Sequence, residues 1–116
     1  MLKSFNKPWG NFKIINEINN VIIKHIFLEP GHCFSLHYHN TCDEIWIILN
    51  GSCTFTLNQD KEKELNLNDT VFIKKGTPHR AYNNNPNVVE ILEIQIYGDN
   101  DKKEDIIRIS DNYDRI

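Results

Sequence analysis

Nowhere in the 116 residues is there an apolar run long enough to span a bilayer. The longest, such as Ile45-Trp46-Ile47-Ile48-Leu49, are strand-sized, whereas a membrane helix needs about 20 consecutive apolar residues. A basic footprint is missing too. The formal net charge is −3 and the 13 Lys and Arg are scattered, so nothing drives counterion release from DNA or RNA, and nucleic acid is excluded as a partner. The opening stretch Met1-Leu2-Lys3-Ser4-Phe5-Asn6-Lys7-Pro8 has positive charge but no apolar segment or small-residue cleavage site after it. That is not the pattern of a secretory leader, and the expected location is cytoplasmic. The three cysteines, Cys33, Cys42 and Cys53, lack the paired spacing of a zinc ribbon and the C-x-x-C of a redox protein. An odd count leaves at least one thiol unpaired within the chain, and small strand-packing residues are the expectation. Cys42 stands apart because it lies between His39 and Glu44.

Helical periodicity is also absent over any long segment. What is present is alternation of apolar and polar residues with a period near two, cut by Asn, Asp, Gly and Pro clusters. That pattern predicts an all-β fold. Strands are expected near 12–16, 21–28, 34–37, 43–49, 53–57, 63–67, 70–73, 79–82 and 88–97. Turn chemistry supports these cuts at Glu29-Pro30-Gly31, Asn50-Gly51, Asn68-Asp69, Lys75-Gly76-Thr77-Pro78 and Asn83-Asn84-Asn85-Pro86, where residues tolerate positive φ or are pre-set for turns. Asn50-Gly51 reads as a hairpin signal. Many short strands at this spacing indicate a sandwich or barrel, of which the double-sheet jelly roll is one solution. The length suits a single domain, 1–116. A chain of this size buries roughly two-thirds of the surface that its unfolded form exposes, enough to fold without disulfides. The charged end after Asp99, which includes Asp105-Ile106-Ile107-Arg108, is either a solvated tail or an added edge strand.

Chemistry concentrates in one constellation. His37 and His39 are spaced i, i+2, so on a strand both leave the same face, roughly 6.6 Å apart along the backbone, and two imidazoles can converge on one ion. Glu44 opens the apolar run of residues 45–49. A buried carboxylate there needs a cation, a metal or an altered protonation state. His79 follows the Gly76-Thr77-Pro78 turn, which can hold it near the first pair. Three neutral imidazoles and a carboxylate suit one divalent transition metal, Zn, Fe, Ni, Mn or Co, whereas Ca and Mg prefer more oxygen ligands. An octahedral ion would keep two positions for water or substrate, and a tetrahedral one would be closed.

The segment Gly31-x5-His37-x-His39-x4-Glu44-x6-Gly51 resembles the first cupin motif at every fixed position. Gly76-x2-His79-x3-Asn83 resembles the second, with Asn68 and Lys74 where that family usually has Gly and Pro. The resemblance implies the cupin double-stranded β-helix, a jelly-roll barrel. A narrower resemblance covers nearly the whole chain. Lys7-Pro8-Trp9-Gly10, Pro30-Gly31 with Ser35-Leu36, Glu44-x-Trp46, Gly76-x2-His79-Arg80-x2-Asn83, Glu104-Asp105-Ile106-Ile107-Arg108 and Asp111-Asn112-Tyr113-Asp114-Arg115 are similar to the isomerase domain of type II mannose-6-phosphate isomerases. In that family the domain usually follows a mannose-1-phosphate guanylyltransferase domain, which these residues do not resemble. Gln is common there at the position of His37.

The resemblance implies an enzyme that interconverts the aldose and ketose forms of a phosphorylated sugar, mannose 6-phosphate and fructose 6-phosphate, in polysaccharide or sugar-nucleotide synthesis. The ion would polarise the C1 or C2 oxygen while a base moves a proton between the two carbons. The base is not identified by sequence; Asp43, Lys74 and a water on the ion are candidates. Trp46 shares parity with Glu44 and is either a core residue or a ring against a sugar face. Arg80 has a guanidinium shaped for phosphate, but alternation turns it away from His79, towards an outside salt bridge. Lys74 and Lys75 are solvated, or one attracts an anion at the barrel mouth. Trp9 is packing or a dimer contact, Tyr38 faces away from the histidines, and His25 and His32 are structural. Two other functions fit the same residues: a cupin dioxygenase on iron, and a metal- or sugar-binding module without catalysis. Sheet edges of a small cupin need protection, and a homodimer is expected.

Overall fold

A computed structural model of the protein describes residues 3–58, 60–98 and 105–115. Eleven strands form: β1 Lys3–Lys7, β2 Gly10–Ile18, β3 Val21–Leu28, β4 Leu36–Tyr38, β5 Cys42–Asn50, β6 Cys53–Leu57, β7 Lys63–Leu65, β8 Thr70–Ile73, β9 His79–Tyr82, β10 Val89–Tyr97 and β11 Ile107–Ser110. They make a six-stranded antiparallel sheet in the order β1-β2-β3-β10-β5-β8 and a five-stranded one in the order β11-β4-β9-β6-β7. This is the all-β fold that the alternation predicts, in the two-sheet jelly-roll form that the cupin resemblance implies. No helix forms among the described residues, so none is long and apolar enough to cross a membrane.

The alternation places side chains directly. Along β3, β5 and β10 every second residue is buried, because successive side chains leave opposite faces of a strand. The inward set includes Leu28, Trp46, Ile48, Val89 and Ile91, which meet Phe55, Ala81 and Leu65 from the other sheet. Trp46 packs edge-on against Phe34 and Phe55, with centroids 5.6 and 5.4 Å away. Each fully buried large apolar side chain of this kind contributes about 1.5–3 kcal/mol. Ile48→Ala would remove about 2–5 kcal/mol, since it also leaves a cavity.

Three local outcomes differ from, or decide between, the expectations. β1 is not anticipated by the alternation, because all five of its residues are exposed. It forms by pairing with β2, where Phe5 stacks on Phe12 at 5.0 Å. The C-terminal segment takes the edge-strand alternative, with β11 against β4. Asn50-Gly51 does not join a hairpin: Gly51 adopts φ 79°, yet β5 pairs with β8 and β10 while β6 pairs with β7 and β9. The turn carries the chain from one sheet to the other. Asn68, where cupins usually have Gly, sits at φ 71°, a conformation that Asn tolerates better than most side chains. At Gly10 the constraint is a close approach, since a Cβ would lie 2.0 Å from the Phe27 carbonyl oxygen.

Candidate metal centre

His37 on β4 and His79 on β9 are cross-strand partners, with ring centroids 4.6 Å apart. His39, one residue beyond β4, keeps the parity of His37, and its ring lies 5.0 Å from His37 and 5.9 Å from His79. All three are buried, and one ring nitrogen of each lies within 4.8 Å of the others. Their opposite nitrogens are held by backbone. His37 Nδ1 donates to the Ser35 carbonyl at 2.9 Å and lies 2.8 Å from its hydroxyl. His79 Nδ1 donates to the Thr77 carbonyl at 2.9 Å. His39 Nδ1 donates to the Asp105 carbonyl. A carbonyl only accepts, so the hydrogen is on Nδ1 in each ring and Nε2 presents a lone pair.

Glu44 arrives from the other sheet, on β5. Its Oε2 accepts from Gln95 Nε2 at 3.0 Å and lies 3.4 Å from His39 Nε2. Its Oε1 lies 3.3 Å from His79 Nε2, yet both of these buried atoms lack a hydrogen-bond partner. A carboxylate oxygen and an imidazole lone pair face one another, which is unfavourable unless a cation lies between them. The donor set therefore fits a divalent transition metal: three nitrogens fixed from behind and one carboxylate steadied by an amide. Burial, followed by the neighbouring imidazoles of His79 and His39, lowers the His37 pKa to about 3, so its ring stays neutral. Burial raises the Glu44 pKa, and the Gln95 amide, which donates to Oε2, opposes that rise by favouring the carboxylate.

Beside the histidines lies a cavity of about 240 Å³, near the lower end of small-molecule sites and suited to a ligand of monosaccharide size. Ser35, His37, His39, Trp46, Glu93 and Gln95 line it, together with the cations Lys7, Lys24, Arg108 and Arg115. Trp46 is buried with its ring edge-on to His79 at 5.6 Å, and its Nε1 donates to Glu93 Oε1 at 3.0 Å. It is a core residue and a cavity wall at once. Lys24 and Glu93 are directly opposed in the β3–β10 register, and both are buried.

Other residues singled out by sequence lie elsewhere. Arg80 is half-buried and donates from Nε to the Phe34 carbonyl at 3.2 Å and from Nη2 to the Ser110 carbonyl at 3.3 Å. It fastens β9 to neighbouring backbone and does not line the cavity. Lys74 is exposed, and Asp43 accepts from the Lys75 backbone N–H at 2.8 Å; neither lines the cavity. His25 contacts Glu90 at 2.9 Å and His32 contacts the Tyr113 hydroxyl at 2.6 Å, both outside the cluster. Trp9 packs edge-on to Phe34 at 4.6 Å. Cys33, Cys42 and Cys53 are unbridged and buried.

Sequence reasoning passed over Lys24, Glu93, Gln95 and Arg108. For the first three a signal was available: they interrupt strands apolar on both faces, at the parity of buried neighbours. A charge placed there is desolvated and needs a reason. Arg108, half-buried with its Nε covered, gave no such signal, because that cover depends on β11 docking onto β4.

Known proteins resemble the chain in sequence and in fold. The family model described as "Mannose-6-phosphate isomerase C-terminal" matches residues 1–111. The chain is 35% identical over 109 residues to a mannose-1-phosphate guanylyltransferase of Klebsiella pneumoniae, covering 94% of this chain and 23% of that protein. It is 31% identical over 109 residues to the alginate biosynthesis protein AlgA of Pseudomonas fluorescens, covering 94% of this chain and 22% of that one. The chain thus spans under a quarter of the length of these curated relatives. Among solved structures, a protein with a double-stranded β-helix domain from Klebsiella pneumoniae superposes with a TM-score of 0.71 at 17% identity, covering 83% of this chain and 82% of that one. That likeness establishes the cupin fold.

Proposed function

The chain belongs to the mannose-6-phosphate isomerase C-terminal family, and from that premise we propose that it is a metal-dependent aldose–ketose isomerase for a phosphorylated sugar. Mannose 6-phosphate and fructose 6-phosphate are the pair to test first. The observation that supports this reading most is the unpaired Glu44 Oε1 and His79 Nε2 beside a cavity that carries its own carboxylate, Glu93. His37, His39, His79 and Glu44 would hold one ion of Zn, Fe, Ni, Mn or Co. When bound, that ion supplies Lewis-acid polarisation of a sugar oxygen.

The rest falls to this chain's residues. The Ser35, Thr77 and Asp105 carbonyls keep three Nε2 atoms aimed inward, and Gln95 orients Glu44. Among the described residues, Glu93 is the one carboxylate lining the cavity. We assign it the proton transfer: it takes the hydrogen from C2 of the aldose and returns it to C1, while the hydroxyl proton passes from O2 to O1. The Trp46 indole N–H donates to one Glu93 oxygen and fixes the orientation of the carboxylate at the cavity wall. Asp43 and Lys74 lie outside the cavity, which favours Glu93 over both.

The reading extends to residues 1–116 as one cupin domain acting in the cytoplasm, in polysaccharide or sugar-nucleotide synthesis, as a homodimer. Exposed Phe72 on the edge strand β8 suits that pairing, and sedimentation equilibrium tests it. The guanylyltransferase activity in the relatives' names belongs to much longer proteins and is not carried over.

The deciding experiment is elemental analysis followed by a mannose 6-phosphate to fructose 6-phosphate assay on the metal-loaded protein. Near-stoichiometric metal with turnover that His79→Ala abolishes is the expected result. Metal with no turnover would leave a sugar-phosphate-binding module. Three histidines and a glutamate also suit iron that activates oxygen, so oxygen uptake with ferrous ion is the control for dioxygenase chemistry.

A further inference from the structure

We propose that Arg108, supported by Lys7 and Lys24, forms the seat for the anionic end of the ligand, so that the C-terminal strand β11 selects phosphorylated over free sugars. The inference rests on the cavity being the sugar site, as read above.

Charge distribution comes first. The chain as a whole has a net charge of −3, yet the cavity beside the histidines gathers Lys7, Lys24, Arg108 and Arg115 against the single carboxylate of Glu93. Cations from β1, β3 and β11 and from the end of the described chain converge on one small space, and like charges brought together in this way favour an anion between them.

Hydrogen bonding then separates the four. Arg115 is occupied by Asp111, to which it donates from Nε at 2.7 Å and from Nη2 at 2.9 Å. Lys24 is buried, with its ammonium 4.6 Å over the Phe12 ring. Arg108 differs: its Nε is buried and has no hydrogen-bond partner. A guanidinium always carries its protons, and a buried donor left unpaired is costly. A phosphate offers paired oxygens that match the fork of a guanidinium.

Register sets the distance from the metal centre. Arg108 is the Cα partner of His37 in the β4–β11 pairing, and paired strands run about 4.8 Å apart. The anion seat is thus one strand away from a metal-side histidine. A short ligand with a phosphate at one end and adjacent oxygens at the other would span that gap. The residues just before β11 supply the Asp105 carbonyl that orients His39, so the C-terminal segment 105–110 touches both the metal-side histidines and the anion seat.

The test is calorimetric titration of the metal-loaded protein with inorganic phosphate, mannose 6-phosphate and mannose. Phosphate is expected to bind and to compete with mannose 6-phosphate. Arg108→Gln should weaken both about tenfold or more, since hydrogen bonds to charged groups are the strong ones, with metal content and mannose affinity unchanged. Arg108→Lys should recover part of the loss. If Arg108→Gln does not fold, Lys7→Gln on the exposed strand β1 reads the same seat with an expected loss of a fewfold. Phosphate that fails to bind the parent, or binds Arg108→Gln and Lys7→Gln as tightly as the parent, overturns the proposal. Phosphate binding that depends on Arg108 without isomerase turnover would retain the seat and reject the isomerase.

Discussion

His79 Nε2 and Glu44 Oε1 lie 3.3 Å apart, one from each sheet, and neither has a hydrogen-bond partner. In a well-packed interior such a pair is stable only with something positive between the two atoms. Removing either partner should therefore affect metal retention before it affects packing.

His79→Ala and His37→Ala should each lose most bound metal by elemental analysis, and chelation of the parent should lower its Tm. An ion present at 100 times its Kd stabilises by about 2.7 kcal/mol, which for a domain near this size is roughly 10–20 °C at 4–8 °C per kcal/mol. Variants that bind zinc, iron and nickel as tightly as the parent would refute the four-ligand assignment.

Glu93→Gln should retain metal and lose kcat by about 10²–10⁴-fold, the usual range for a general base. Deuterium exchange at C2 of mannose 6-phosphate in D2O reads the proton step directly. Exchange at the parental rate in Glu93→Gln would show that another group moves the proton.

The thiols should be inert in the folded protein. Burial, with a smaller effect from Glu64, pushes the Cys53 pKa up to about 12, and burial raises that of Cys33. Little thiolate is then present at pH 8, and the thiolate is the reactive form. Ellman's reagent should label none of the three within minutes in buffer and all three in guanidinium. Fast labelling of native Cys42 would contradict its burial.

Asp111 gives a pH dependence of definite sign. The Arg115 guanidinium beside it holds its carboxyl well below the ordinary value of 3.8. Between the two values the unfolded chain binds a proton that the folded one does not, so stability rises with pH there. The Asp111 contribution is complete above about pH 4 and drains away as pH falls below it. The Tm difference between parent and Asp111→Asn should be largest near neutrality and shrink towards pH 3. A difference that stays constant would assign the effect to packing instead.

Much of this was legible in the chain. Alternation from Val21 to Leu28 and from Val89 to Tyr97 marks strands and their buried faces, and the i, i+2 spacing of His37 and His39 sets both on one face. The parity of Trp46 with Glu44 likewise foretells its inward ring. Lys24 and Glu93 were legible but unread, because strands apolar on both faces hide which polar residue is buried.

What the residues determine by themselves is therefore local: strand period, turn conformation at Gly51, and the kinds of ligand available at residues 37, 39, 44 and 79. These follow from backbone sterics and side-chain chemistry within a few residues. The tertiary structure alone decided that the strands flanking Asn50-Gly51 enter different sheets, that Gln95 meets Glu44, that Asp105 orients His39 and that Arg108 stands across from His37. Each is a pairing between residues far apart in the chain. Register between distant strands is set by burial of whole faces and not by any local preference.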